Sequence, residues 1–139
     1  MSINQIFDIA GSGLAAQRLR VELIASNIAN SETTRTPEGG PFRRREAVFQ
    51  AQDQGFGDAL AATGVEVAGI PTSNAPFITR YQPGHPDADA NGMVKYPNVD
   101  PVEEMVDLTE ASRSYEADIA SVRAAKGMAA SALEILRVQ

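Results

Sequence analysis

The chain has 139 residues, a formal net charge of −6, 6% aromatic residues, no tryptophan and no cysteine. This length predicts one domain or one small assembly unit. The net charge argues against general nucleic-acid binding, which requires a basic surface, and the absence of cysteine excludes disulfide bonds and thiolate chemistry.

The N-terminal segment carries apolar residues at alternating steps of four and three, which is typical of a coiled-coil seam. The seam positions are Ile3, Phe7, Ala10, Leu14, Gln17, Val21, Ile24 and Ile28. Gly11 and Gly13 each cost about 1 kcal/mol inside a helix, so the sequence predicts that the dependable helix starts near Ser12. Asn30 is the predicted end, because asparagine tolerates the left-handed cap conformation.

The middle of the chain is short and rich in turns. All eight prolines lie between positions 37 and 101. An extended loop, RTPEGGPFRRR at 35–45, enters this segment. Alternating apolar runs predict short strands. These runs are AVF at 47–49, VEVAGI at 65–70, FITRY at 77–81 and MVKY at 93–96.

A longer amphipathic stripe follows. Asp100 is the predicted N-cap, Pro101 suits the first helical position and Glu103 completes a capping box. Glu104 is assigned to solvent. The seam positions are Met105, Leu108, Ser112, Tyr115, Ile119, Val122, Lys126, Ala129, Leu133 and Leu136. A helix of about 36 residues would be about 54 Å long.

The predicted fold is therefore mainly α with a small β insert, in which the terminal helices pair as an antiparallel coiled coil. The chain divides into an N-terminal helical segment (1–34), an extended loop with a small β-rich segment (35–98) and a C-terminal helical segment (99–139). Because the second helix is longer, part of its apolar seam stays uncovered, which predicts a partner. The polar seam residues Gln17, Ser112 and Lys126 are expected to fix register and partner choice.

The stretch Asp87 to Gly92 resembles the beginning of an EF-hand loop, with oxygen ligands at alternate positions and a turn glycine. Position 12, which should be a bidentate glutamate, is Asn98, and prolines replace the entering helix. Asn91-Gly92 instead predicts a type I′ hairpin turn. From the residues alone, a calcium-responsive helical module using the 87–92 loop stays open as the alternative function.

Catalytic chemistry finds little support. His85 is the only histidine, and no G-x-S-x-G nucleophile elbow accompanies it. We therefore expect no enzyme, no catalytic residue, no metal, no cofactor and no small-molecule substrate. The run Arg43-Arg44-Arg45 has two interpretations, a solvated loop or a docking contact with an acidic neighbour.

Three motifs resemble one family, the bacterial flagellar axial proteins. LIASNIANSETTRTPEGGPFRRREAVF (23–49) resembles their N-terminal signature, and SRSYEADI (112–119) resembles their C-terminal helix signature. The forms TTRTPEGGPFRRR and PGHPDADANGMVKYPNVDPVEEMVDL (83–108) are similar to the proximal rod type known as the C type. The resemblance covers essentially the whole chain.

The resemblance implies a structural subunit of the flagellar basal-body rod, the drive shaft that transmits torque. Implied partners are copies of the chain, other rod proteins, the membrane-ring adapter of the rod and the flagellar type III export apparatus. Export would need no cleaved signal, and the N-terminus lacks the basic start and apolar block of a signal peptide. The rod lies in the periplasmic space. Beyond the seams, the implied subunit contacts are Asn27, Asn30, Thr33, Thr34, Arg43, Arg44 and Arg45.

Overall fold

The computed structural model describes residues 3–52 and 64–137. In chain order its elements are α1 (Ile3–Ala29), β1 (Val48–Ala51), β2 (Val65–Gly69), β3 (Ile78–Tyr81), β4 (Met93–Tyr96) and α2 (Pro101–Arg137). Two long helices thus flank a small β insert, which confirms the predicted fold class. Among the described residues, no helix combines the length and the apolar composition that a membrane span needs.

Helix α1 is longer than the sequence predicted. It begins at Ile3 and includes Gly11 and Gly13, so the predicted start near Ser12 is wrong. The Ser12 hydroxyl accepts the backbone N–H of Val65 at 3.0 Å, and α1 contacts both α2 and β2. These tertiary contacts offset the low helix propensity of glycine, because packing contributes most of the stability of a helix in a folded protein.

The end of α1 is capped by a side chain. The helix ends at Ala29, next to the predicted Asn30. Among the described residues, positive φ angles occur at Gly39, Gly40 and Gly92 alone, so the expected left-handed conformation of Asn30 is wrong. Its side-chain amide instead donates to the Ser26 carbonyl at 2.9 Å, which also accepts the Asn30 backbone N–H at 3.1 Å, so the side chain reinforces the last turn.

Helix α2 starts as predicted at Pro101 and extends over 37 residues, about 55 Å. Asp100 is its N-cap, because Oδ1 accepts the Val102 N–H at 2.8 Å. The Glu103 side chain is exposed and makes no hydrogen bond to another described residue, so the predicted capping box does not form. The N-cap therefore acts alone at this end of α2.

The two helices run antiparallel. The last turn of α1 meets the first turn of α2, where Asn27 bonds to Glu104, and the helices stay in contact from there. Because α1 has 27 residues and α2 has 37, the last turns of α2 project beyond α1. We call residues 128–135 the overhang.

The middle segment forms two antiparallel strand pairs within the described ranges, β1 with β2 and β3 with β4. All four predicted strands are thus confirmed: β4 has the predicted boundaries, and the ends of the other three differ by at most two residues. Phe49 lies opposite Val67 in the first pair, and Arg80 lies opposite Val94 in the second. Phe42, Val94, Tyr96 and Val99 are buried and are the apolar core residues between α1 and α2 in the chain.

The turn that precedes β4 differs from the predicted type I′ turn. Gly92 has a φ of 74° while Asn91 does not have a positive φ, whereas type I′ needs both. The Asp89 carboxylate holds this turn, because Oδ1 accepts the N–H groups of Asn91 at 2.8 Å and Met93 at 2.9 Å. A side-chain acceptor thus replaces the expected backbone geometry.

Candidate assembly surface

Most of the predicted seam is partly covered within the subunit. On α1, Ile24 is buried, and the partly buried positions are Phe7, Ala10, Leu14, Gln17, Val21 and Ile28. On α2, the partly buried positions are Leu108, Ser112, Tyr115, Ile119, Val122 and Ala129, whereas Met105, Lys126 and Leu133 are exposed. The side chains of Ile3 and Leu136 lie outside the part of the chain that the structure describes.

The overhang exposes large apolar side chains. Met128, Leu133 and Ile135 are 69%, 63% and 70% exposed. Leu133 continues the seam by which α2 contacts α1, but it lies where α1 no longer reaches. The uncovered seam that the length difference predicted is thus present, and exposed apolar surface of this kind is typical of an interaction site.

The start of α2 exposes a second apolar patch. Met105 is 50% exposed and lies beside Val102 and Val106, so its predicted place in the seam between the helices is wrong. Neighbouring helical residues point about 100° apart, so only one of the pair Glu104 and Met105 can face α1. Glu104 takes the inward position.

A buried polar cluster joins α1, the following loop and α2. Glu104 and Asn27 are each 1% exposed. Glu104 accepts the Asn27 side-chain amide at 3.0 Å through Oε2 and the Arg44 Nε at 2.5 Å through Oε1. The assignment of Glu104 to solvent is therefore wrong. The reason lies in its partners, because a carboxylate is buried without prohibitive cost only when it is paired and hydrogen-bonded.

Arg44 is the charged partner in this cluster. Besides Glu104, its guanidinium lies 3.1 Å from Glu46 and 3.6 Å from Asp107. The hydrogen bond to Glu104 is the main cause of a pKa for Arg44 above its ordinary value, against the opposing effect of burial. Arg44 is therefore a structural cation and not a solvated one, and its predicted docking contact remains a prediction.

Arg43 and Arg45 differ from Arg44, because both are exposed. The Arg43 guanidinium lies 4.5 Å from the centre of the Phe77 ring and donates to the Ser73 carbonyl at 3.0 Å. The Arg45 guanidinium lies 5.7 Å from the Phe42 ring. Stacking on aromatic rings restricts both side chains while their charge stays at the surface, which suits them to bind an acidic partner.

The loop that carries these arginines, residues 33–45, is well anchored, and we call it the 33–45 loop. Thr34 donates to the Asp87 carboxylate at 2.8 Å, and Arg35 lies 3.7 Å from it. The Asp87 carboxylate therefore anchors the 33–45 loop, and the Asp89 carboxylate stabilises the turn before β4. Within residues 3–52 and 64–137, no three potential metal-binding side chains are grouped together, so the structure gives the calcium alternative no support.

The polar seam residues occupy different environments. The Oε1 atom of Gln17 is buried and has no hydrogen-bond partner among the described residues. Ser112 is partly buried, and Lys126 is exposed on α2. Gln17 is thus the seam position at which polarity has a clear energetic consequence, because a buried acceptor without a donor is destabilising.

Sequence reasoning missed two features of this surface. Ala16 is buried although it lies off the predicted seam, because α1 is covered by β2 as well as by α2. Glu104 was missed because its partners, Asn27 and Arg44, are 77 and 60 positions away. An asparagine within the apolar end of a helix was the available signal, since a polar residue there requires a partner.

Known proteins resemble this chain over its whole architecture. A family model described as "Flagella basal body rod protein" matches residues 7–35, and one described as "Flagellar basal body rod FlgEFG protein C-terminal" matches residues 90–135. The flagellar basal-body rod protein FlgC of Salmonella typhimurium is 49% identical over 128 residues, 92% of this chain and 93% of that protein. The flagellar basal-body rod protein FlgC of Borreliella burgdorferi is 40% identical over 99% of this chain and 99% of that protein. That of Bacillus subtilis is 40% identical over 92% of this chain and 94% of the relative.

Paired terminal helices, a small β insert and uncovered apolar faces define a helical assembly subunit. The identity to the relatives extends over both helices and the insert between them. The chain belongs to the flagellar basal-body rod protein family, and the resemblance seen in its motifs is confirmed.

Proposed function

We propose that this protein is a structural, non-enzymatic subunit of the flagellar basal-body rod, which it builds together with copies of itself and other rod proteins. The observation that carries the proposal is the combination of family membership with two apolar surfaces left uncovered on α2. Helices that pack closely along a shaft resist bending and twisting, because well-packed interiors are only slightly compressible. Torque transmission follows from this packing.

The proposed contact surfaces are three. The overhang and the patch of Val102, Met105 and Val106 supply apolar area. The 33–45 loop supplies Arg43 and Arg45. Residues 47–139 of the chain hold thirteen acidic and six basic residues, so the acidic part of a neighbouring subunit would attract this loop.

We further propose that the subunit lies in the periplasmic part of the basal body. It would arrive there through the flagellar type III export apparatus without a cleaved signal, and the rod would join the membrane ring through its adapter protein. The names of the relatives place them in the basal-body rod, which supports this location.

An image reconstruction of the intact basal body tests the proposal. We expect density for this chain within the axial rod, with α1 and α2 in contact with neighbouring subunits. Density for the chain outside the rod would contradict the proposed function.

A charge-removal experiment tests the loop. In a strain that lacks the wild-type protein, Arg43→Ser combined with Arg45→Ser should reduce rod assembly and motility, because two exposed cations are lost from the docking surface. Arg80→Ser is a matched control, since Arg80 is also exposed and lies over an aromatic ring, that of Tyr96 at 4.8 Å, but lies outside the loop. Equal assembly by both variants would show that the loop cations do not contribute.

A further inference from the structure

We propose that Asn27, Arg44 and Glu104 are positioning residues that hold the 33–45 loop in one docking conformation before a neighbouring subunit binds. We call the three side chains the polar latch. The inference rests on the proposed function, because it takes the 33–45 loop as a contact surface, and it adds the means by which the free subunit keeps that surface in shape.

Asn27 holds the C-terminal end of the loop through two hydrogen bonds to the backbone of Arg45, the pair of bonds that an adjacent β-strand would make. Its Oδ1 accepts the backbone N–H of Arg45 at 3.0 Å, and its Nδ2 donates to the carbonyl of the same residue at 2.9 Å. A side-chain amide has one acceptor and two donor hydrogens. The second hydrogen goes to Glu104, so every polar group of this buried amide is engaged. Only asparagine or a longer amide has this set of groups.

The loop is closed at its neck, so fixing one end fixes the whole loop. The Thr33 carbonyl accepts the Phe42 N–H at 3.0 Å, and the Thr33 N–H donates to the Asn30 carbonyl at 3.1 Å. Within the loop, Thr36 and Gly40 share a backbone bond of 2.9 Å. Phe42 is buried. A loop with joined ends and an internal hydrogen bond moves as one unit.

Glu104 makes the latch cooperative. Its carboxylate is almost fully buried and has two donors, one from α1 and one from the loop. When either donor is lost, the buried carboxylate charge keeps only one hydrogen-bond partner. Loss of one partner from a buried ion pair destabilises a protein far more than replacement of all the charged groups by apolar ones. The contacts of Asn27, Arg44 and Glu104 should therefore form and break together.

The functional consequence is preorganisation. A loop that is ordered before binding does not lose conformational entropy when it docks, so the same contacts give a higher affinity. Local opening of the latch would expose the loop without unfolding the helix pair, because parts of a protein can open with free energies below that of global unfolding.

Hydrogen exchange of the purified subunit tests the latch. In Glu104→Gln one of the two acceptor oxygens becomes an NH2 group, so the side chain loses the acceptor that holds either the Asn27 amide or the Arg44 guanidinium. We expect amides of the 33–45 loop to exchange at least about tenfold faster, which corresponds to about 1.4 kcal/mol. Amides in the middle of α1 and α2 should accelerate by no more than the loop amides and should stay more protected than them, because they exchange through larger openings. Glu103→Gln is the matched control, because Glu103 is adjacent, acidic and exposed.

A charge swap supplies the specific test. Asn27→Asp places a second buried carboxylate beside Glu104 and removes both donors, so the loop should exchange faster than in Glu104→Gln. In the double variant Asn27→Asp with Glu104→Gln, the new amide can donate to the new carboxylate. We expect loop protection to recover partly toward that of the wild-type protein. If the two substitutions acted independently, their effects on loop exchange would add, and the double variant would exchange faster than either single variant.

The outcomes separate the latch from the proposed function. Unchanged loop exchange in Glu104→Gln, or loop exchange that Glu103→Gln accelerates to the same extent, would overturn the latch. If the loop exchanges faster as expected but the variant still enters the rod as well as Glu103→Gln does, the latch stands and the docking role of the loop is contradicted.

Discussion

Asn27 and Glu104 join the end of the first helix to the beginning of the second through a hydrogen bond of 3.0 Å between the Asn27 amide and Glu104 Oε2. Both side chains are buried, and 77 positions separate them in the chain. This contact joins the last turn of α1 to the first turn of α2 and so fixes the register of the antiparallel helix pair. It thereby decides how far α2 projects beyond α1 and how much apolar seam the subunit exposes.

Arg44 should matter for stability, while Arg43 and Arg45 should not. Arg44→Met leaves the buried Glu104 carboxylate without its cation, so we expect a loss of about 3 kcal/mol in the free energy of unfolding. Arg43→Met and Arg45→Met should each change it by less than about 0.5 kcal/mol, as is usual for exposed positions. Urea unfolding followed by circular dichroism measures all three. Equal effects of the three substitutions would contradict the division of roles.

The same residue gives an expectation for pH. The pKa of Arg44 is raised in the folded protein by its bond to Glu104. A cation whose pKa is raised by folding stabilises the folded state, and this stabilisation is complete at pH values below the unfolded-state pKa. It is lost only as the pH rises through the folded-state pKa. For arginine both pKa values are far above neutral. The stability difference between the wild-type protein and Arg44→Met should therefore stay constant from pH 7 to 9. A difference that shrinks within this window would be inconsistent with the pairing.

Gln17→Leu should stabilise the isolated subunit. The substitution removes a buried acceptor that has no described partner, and we expect a gain of about 1 kcal/mol. If Gln17 also selects among similar helices, the variant should bind non-cognate rod helices more readily. Thermal unfolding measures the first effect, and competition between cognate and non-cognate partners in a cross-linking assay measures the second. Unchanged selectivity would end the idea that Gln17 chooses partners.

Gly127→Ala should strengthen the distal part of α2. Gly127 lies within the helix and is exposed, and a Cβ atom there meets no atom within 4 Å. We expect stabilisation by about 0.5–1 kcal/mol, because alanine loses less backbone entropy on folding. Helicity by circular dichroism should rise accordingly. A fall in helicity would contradict an unstrained, solvent-exposed helix at this position.

Gly92→Ala is the contrasting glycine substitution. Its φ is 74°, and a Cβ atom would lie 3.0 Å from both Pro83 and Tyr81. We expect destabilisation by about 1–2 kcal/mol, since both the conformation and the space favour glycine. Urea unfolding of the two glycine variants side by side should give opposite signs.

Calcium should have no effect on this protein. Asp89 holds its own turn and Asp87 holds the 33–45 loop, and among the described residues they are not part of any group of three potential metal ligands. Addition of calcium to about 1 mM, which exceeds the dissociation constants of calcium sensors, should leave helicity and melting temperature unchanged. A calcium-dependent rise in melting temperature that disappears in Asp87→Asn would revive the binding-module alternative.

Local sequence signals predict which segments of this protein form helices and strands. Heptad spacing predicts α1 and α2, alternating residues predict four strands, and Asp100-Pro101 marks the start of α2. These signals are local, because apolar periodicity and cap chemistry depend on residues a few positions apart. The subunit contacts predicted from the motifs remain predictions.

The burial of polar residues and the position of the uncovered apolar surface depend on the packing of distant segments. The sequence assigned Glu104 to solvent and Met105 to the seam, and the structure reverses both. It also extends α1 through Gly11 and Gly13, because α2 and β2 support that part of the helix. The physical reason is the same in each case. The free energy of a buried carboxylate or an interior glycine depends on distant partners, such as Asn27 and Arg44 for Glu104, which the fold brings together and local sequence does not reveal.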